Sequence, residues 1–106
     1  MLNEENVNLC WMLLAKYGIE AQAVIAIEEC SELQKELCKS LRCHQTWNAE
    51  SVREELVDTI VMCQQLLLCI GMDGDEVNAR AKAKLERAMN EDTKEADNEV
   101  LPFTTD

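Results

Sequence analysis

Two pairs of carboxylates are the residues of this sequence best suited to chemistry. One pair is Glu29 with Glu32, and the other is Glu55 with Asp58. Side chains three positions apart lie on the same face of an α-helix, so each pair can direct oxygen atoms at one point in space. If the two helices pack antiparallel, all four carboxylates converge there.

The apolar residues around these pairs indicate that the carboxylates lie close to a core. Glu29 falls within one stripe of apolar residues at helical spacing, and Glu55 falls within a second. Glu32 and Asp58 flank these stripes. A carboxylate that faces a core is costly unless it is paired or binds a metal ion. The alternative is a solvated helix face, because 21 of the 106 residues are acidic and such pairs also arise by chance.

A site made only of carboxylates favours hard cations, namely Mg²⁺, Mn²⁺ or Ca²⁺. Neither Glu29 nor Glu55 is followed by a His three residues later, so the carboxylate–histidine pattern of di-iron proteins is missing. Proteins usually bind Mg²⁺ through a few carboxylates, water and the phosphates of a substrate. The sequence therefore favours hydrolysis of a nucleoside polyphosphate with Mg²⁺, or with Mn²⁺ in its place.

Composition and apolar spacing predict an all-α chain of four helices. The chain contains only three Gly and one Pro, and a composition of this kind favours helices. We expect a helical domain at residues 1–90 and an acidic C-terminal tail at residues 91–106. The predicted helices span approximately residues 4–17, 20–42 and 49–70, and a fourth helix begins after Asp73 or Asp75 and extends to about residue 89.

Local signals mark the ends of these helices. Gly18 and Gly71 are expected to end the first and third helices, because glycine readily adopts the conformation that follows a helix. Asn48 is expected to cap the third helix, and either Asp73 or Asp75 the fourth.

The apolar residues also predict a core and an association surface. Trp11 lies in the apolar stripe of the first helix and is expected in the core. Residues 60–70 are apolar nearly all round, interrupted by Gln64 and Gln65. Such a helix needs burial on more than one side. In so short a chain we therefore expect a homo-oligomer.

Charge and cysteine usage narrow the functional classes. A net charge of −11 argues against a protein that binds nucleic acid or membrane surfaces non-specifically. No apolar run approaches the roughly 18 residues that a membrane span needs. No secretory signal is visible, so the six cysteines are expected to be free thiols in the cytoplasm. A zinc site from Cys38, Cys43 and His44 is the alternative, but its spacing fits no zinc knuckle.

Two further features allow more than one interpretation. Arg80, Lys84 and Arg87 form a basic stripe on the fourth helix, which could neutralise phosphate groups or pair with neighbouring carboxylates. Trp47 lies in the polar connection between the second and third helices. It could fold back on the core, or it could stack on a planar ligand such as a base.

The segment Glu28-Glu29-x-x-Glu32, followed by Glu55-x-x-Asp58, resembles the signature of the MazG-like all-α nucleoside triphosphate pyrophosphatases. That superfamily includes dimeric dUTPases, dCTP pyrophosphatases and phosphoribosyl-ATP pyrophosphatases. The later Lys84-Leu85-Glu86-Arg87 is similar to the Lys-x-x-Arg segment of many members, and the resemblance covers roughly residues 5–90. The phosphoribosyl-ATP branch usually has an aromatic-His pair soon after the Asp. Here Asp58 is followed by Thr59-Ile60-Val61-Met62, which disfavours that branch.

The resemblance implies a four-helix MazG-like bundle that is completed by oligomerisation into dimers or tetramers. The implied reaction cleaves the bond between the α- and β-phosphates and yields a nucleoside monophosphate and pyrophosphate. Glu28 would position or activate the attacking water, and Lys84 and Arg87 would contact phosphates. The implied Mg²⁺ ligands are Glu29, Glu32, Glu55 and Asp58.

Two other classes of function compete with this one. A catalytically weak nucleotide-binding or regulatory protein could use the same fold. A helical interaction module could carry the same acidic residues as a merely solvated surface. The sequence does not identify the base or the sugar of a nucleotide substrate.

Overall fold

The computed structural model describes residues 2–43 and 49–95, with side chains described up to residue 91. Within these ranges the chain forms helices and contains no strand. This confirms the prediction of an all-α chain with four helices. In chain order, the helices are α1 (Glu4–Tyr17), α2 (Ile19–Cys43), α3 (Glu50–Ile70) and α4 (Gly74–Glu95).

Three of the predicted caps coincide with observed helix ends. Gly18 follows α1 with a φ of 88°, and its carbonyl accepts the amide of Gln22 in α2. Gly71 follows α3 in the left-handed conformation with a φ of 75°. Residues other than glycine rarely adopt these backbone conformations. Before α4, the Asp73 carboxylate accepts a hydrogen bond of 2.9 Å from the amide of Glu76.

Two helix ends differ from the prediction. Asn48 lies outside the described residues, and α3 begins at Glu50 with Ala49 in the cap position and no side-chain cap. Helix α4 continues to Glu95, beyond its predicted end near Met89. Residues 90–95 contain no Gly or Pro that would stop the helix.

The core of the first compact unit, residues 1–72, lies between α1, α2 and α3. The α2–α3 interface is the most extensive, and α1 packs against both helices. Burial of these apolar side chains supplies the main favourable free energy of the unit. The buried apolar residues are Cys10, Leu14, Ala26, Val52 and Met62.

The burial of several side chains differs from what the apolar pattern indicates. Trp11 exposes 50% of its surface, so its assignment to the core was wrong. Gln64 and Gln65 are buried, although they interrupt an apolar segment, whereas Ile70 in the same helix is exposed. The Gln64 side-chain carbonyl accepts a hydrogen bond of 3.3 Å from the amide of Leu2. Considered one at a time, none of the described helices is long and apolar enough to span a membrane.

Helix α4 belongs to a second compact unit, residues 73–106. Within it, Val77, Ala81 and Ala88 are partly covered, while Leu85 is exposed. The predicted apolar stripe of this helix is therefore only partly covered.

All six cysteines lie in the described helices, and all are free thiols. This confirms the expectation that they do not form disulfides. Cys10 is buried, and burial raises the pKa of its thiol.

Candidate metal centre

Helices α2 and α3 run antiparallel where the carboxylates meet. The Thr59 hydroxyl contacts the Glu29 carbonyl. The two helices pack extensively against each other, and only six residues separate the end of α2 from the start of α3. Helices that pack side by side across so short a connection run in opposite directions. This satisfies the condition under which the sequence predicted convergence of the acidic pairs.

Three of the four predicted ligands come together at this contact. Glu29 from α2 and Glu55 and Asp58 from α3 each offer a carboxylate oxygen, and these oxygens lie within 4.8 Å of one another. Glu29 and Glu55 are half-buried, and Asp58 is exposed. The opening toward solvent lies on the Asp58 side. We call these three residues the carboxylate cluster.

The fourth predicted ligand and the predicted general base lie at the edge of the cluster. Glu32 is exposed, but its charge acts on both Glu29 and Glu55. It does not belong to the group of oxygens within 4.8 Å. Glu28 is exposed and precedes Glu29 in α2. The structure therefore places three carboxylates close together and leaves Glu28 and Glu32, both in α2, at their edge.

Burial and mutual repulsion raise the pKa values of the half-buried members. The pKa of Glu29 is raised first by burial, then by a side-chain hydrogen bond with Asp58, and then by the charges of Asp58, Glu55 and Glu32. The pKa of Glu55 is raised by burial and then by the charges of Asp58, Glu32 and Glu36. A proton shared between Glu29 and Asp58 would relieve their repulsion, because two ionised carboxylates cannot hydrogen-bond to each other.

One carboxylate oxygen of the cluster lacks a partner. Glu55 Oε2 is buried and accepts no hydrogen bond. A buried acceptor without a partner is unfavourable, and a cation can remove this cost by coordinating it. The oxygen-only donor set also suits Mg²⁺ or Mn²⁺. The residues present therefore fit a hard divalent cation.

The acidic surface extends beyond the residues singled out in the sequence. The pKa of Glu54 is raised first by a hydrogen bond with Glu50 and by the charge of Glu50. Burial and the charges of Asp58 and Glu55 raise it further. Glu50, Glu54 and Asp58 recur every four residues, which places them along one side of α3. This spacing is the signal that could have identified Glu54 in advance.

The predicted phosphate-binding residues lie in the second compact unit. Lys84 and Arg87 are both exposed on α4. Arg80, from the same stripe, instead pairs with Glu76, with its Nε and a terminal nitrogen each 2.9 Å from the carboxylate oxygen. The alternative of pairing within the helix is thus confirmed for Arg80. Trp47, predicted to contact a base, lies outside the described residues.

Comparisons with known proteins identify no relative of this chain. A scan against protein-family models finds no match, and searches of curated proteins and solved structures find none. The geometry of the carboxylate cluster is therefore the strongest indication of function.

The raised pKa values predict that acidification stabilises the metal-free protein. A carboxyl group whose pKa is higher in the folded state binds more protons there, so the free energy of unfolding falls as pH rises through the folded-state pKa. For Glu29 and Glu55, this window begins near the ordinary value of 4.5 and extends upward. Chemical denaturation in EDTA should show stability increasing from neutral pH down toward that value.

Glu29→Gln should flatten this profile and raise stability at neutral pH, because it removes one of the repelling charges. Glu20→Gln removes one charge from the same helix outside the cluster and controls for net charge. A profile that Glu29→Gln leaves unchanged would contradict repulsion within the cluster.

Proposed function

We propose that this protein is a Mg²⁺-dependent nucleoside triphosphate pyrophosphohydrolase. Its substrate would be a ribo- or deoxyribonucleoside triphosphate, and its products a nucleoside monophosphate and pyrophosphate. The observation that carries the proposal is the convergence of Glu29, Glu55 and Asp58, whose oxygens lie within 4.8 Å of one another. An acidic site favours a phosphate-bearing ligand only when a cation intervenes, and this cluster supplies suitable ligands.

Glu29, Glu55 and Asp58 would hold the ion, with Glu32 joining them from the edge. Bound Mg²⁺ would polarise a phosphoryl oxygen and help to activate water. Carboxylates act as metal ligands in the ionised form, so metal affinity should increase with pH. Exposed Asp58 leaves the solvent side open for water and phosphate oxygens. Mn²⁺ could replace Mg²⁺ because it prefers the same ligands.

The resemblance to the MazG-like pyrophosphatases supplies the specific reaction. It assigns Glu28 to the attacking water, because Glu28 matches the first Glu of the family motif. In this proposal, water attacks the α-phosphorus while Glu28 accepts the proton of the water. The bond to the β-phosphate breaks, and pyrophosphate leaves. Exposed Glu28 adjoins the metal ligand Glu29, which suits access of water to both residues.

The proposal also gives roles to two basic residues and to one aromatic residue. Lys84 and Arg87 would neutralise the phosphate charge left by the metal ion, with Arg87 able to form paired hydrogen bonds. Trp47 would stack on the base.

We also propose that the protein is a homodimer or a homotetramer, with a MazG-like bundle completed by the partner subunits. The apolar side chains of Leu9 and Met12 in α1, and of Val57 and Ile70 in α3, are exposed. Burying them between copies would stabilise the assembly.

Association should be visible at micromolar concentration. Sedimentation equilibrium should give a mass at least twice the 12.0 kDa of the chain. Met12→Glu should weaken association, because it places a charge on an apolar contact. A stable 12.0 kDa monomer throughout the accessible concentration range would contradict the oligomer.

Removing charge from the cluster should abolish turnover while preserving the helices. Glu29→Gln and Asp58→Asn each remove a metal ligand with little change in volume, so hydrolysis should fall below detection. The measurement is pyrophosphate release from a panel of nucleoside triphosphates with Mg²⁺, together with circular dichroism. Glu20→Gln, outside the cluster, should retain wild-type activity.

Full activity of Glu29→Gln and Asp58→Asn would contradict the metal site. A wild-type protein that binds nucleotides but releases no pyrophosphate would instead indicate the catalytically weak binding protein. Absence of both Mg²⁺ and nucleotide binding would favour the helical interaction module.

Arg87→Ala should weaken triphosphate binding, because it removes charge-assisted hydrogen bonds to phosphate. A loss of about 1.5–3 kcal/mol corresponds to a decrease in kcat/KM of roughly ten- to a hundredfold. Lys84→Ala should act in the same direction. Monophosphate binding should change little, since that product lacks the contacted groups.

Arg80→Ala provides a matched control, because the Arg80 guanidinium pairs with Glu76. It removes the same type of side chain from the same helix and should leave kcat/KM nearly unchanged. Equal losses for triphosphate and monophosphate, or equal effects of Arg80→Ala and Arg87→Ala, would contradict a specific phosphate contact.

A further inference from the structure

Thr59 occupies the α2–α3 contact within the carboxylate cluster. It follows Asp58 directly and lies one helical turn after Glu55. Its hydroxyl donates a hydrogen bond of 2.7 Å to the Glu55 carbonyl. The same hydroxyl oxygen lies 3.5 Å from the Glu29 carbonyl across the helix interface. One side chain therefore touches the backbones of two of the three clustered residues.

The two contacts differ in strength and have different consequences. A hydroxyl has one proton, so the 2.7 Å hydrogen bond to the Glu55 carbonyl is the stronger of the two contacts. This bond fixes the rotamer of the β-branched side chain. The longer contact then sets how closely the α2 backbone can approach α3. Because Glu29 accepts this contact through its own carbonyl, a small shift of α2 moves its carboxylate relative to Asp58.

We infer that Thr59 is a positioning residue that sets the separation and register of α2 and α3 and thereby holds Glu29 beside Glu55 and Asp58. Its relevance to metal binding rests on the proposed function, but its effect on carboxylate spacing does not. Thr59 itself donates no ligand to the ion. Outer hydrogen-bonding partners of metal ligands commonly determine affinity in this way.

The competing explanation is ordinary hydrogen bonding within α3. Threonine in a helix often donates to the carbonyl four residues earlier, with no role beyond that helix. The contact with Glu29 distinguishes the two explanations, because only a residue that spaces the helices affects metal binding and carboxylate repulsion together. The test therefore needs one measurement with Mg²⁺ and one without it.

The first measurement is Mg²⁺ affinity by calorimetry for three variants. Thr59→Val keeps the shape but removes the hydroxyl, and it should weaken affinity about tenfold. Thr59→Ser keeps the hydroxyl and should remain close to the wild type. Ser40→Ala is the matched control, since Ser40 is a buried hydroxyl of α2 about 16 Å along the helix from Glu29. It should leave affinity unchanged.

The second measurement is a double-mutant cycle on the free energy of unfolding in EDTA. Glu29→Gln and Asp58→Asn should be coupled in the wild type, because their carboxylate oxygens lie within 4.8 Å of each other. In the Thr59→Val background the coupling should shrink by at least half. A merely structural role would change the stability of every variant equally and leave this coupling intact.

Weaker affinity together with reduced coupling in Thr59→Val would support the inference. Wild-type affinity and intact coupling would overturn it, as would equal losses from Ser40→Ala. If the wild type binds no Mg²⁺, the proposed function fails, and the cycle alone decides the role of Thr59. If Thr59→Val does not fold, Thr59→Ala removes the same hydroxyl and is judged by the same measurements.

Discussion

The central constraint on this protein is the cost of holding acidic side chains together at a helix interface. Glu29, Glu55 and Asp58 approach one another although each prefers water and distance from the others. The α2–α3 interface supplies the opposing free energy, since it is the most extensive contact in the first unit. A shared proton or a divalent cation relieves the repulsion. The cluster therefore makes the stability of the helix pair depend on what occupies it.

Much of the fold could be predicted because its signals are local. The helix ends at Gly18, Gly71 and Asp73 follow from the conformational freedom of glycine and the capping ability of aspartate. The carboxylate cluster could be predicted because spacing of three residues and antiparallel packing together determine which side chains meet. Glu54 was missed because its importance depends on the proximity of Glu50, which the apolar pattern does not report.

The burial of individual side chains could not be predicted, because it depends on which face of each helix packs against its neighbours. Trp11 fits an apolar stripe, but α1 presents more apolar surface than α2 and α3 can bury. Gln64 and Gln65 were interpreted as interruptions, whereas the helix turns them inward and exposes Ile70. Periodicity identifies the faces of a helix, but tertiary packing selects among them. For the same reason, sequence spacing alone could not relate Lys84 and Arg87 to the carboxylates.

The C-terminal end of α3 satisfies its own last carbonyls. The amide of Met72 bonds to the carbonyl of Leu67, and that of Gly71 bonds to the carbonyl of Leu68. This paired pattern is the Schellman motif, which closes the last turn of a helix on itself. The last turn of the helix that carries Glu55 and Asp58 therefore satisfies these two carbonyls without any residue beyond Met72. A turn closed in this way should slow fraying of α3 from its C-terminal end.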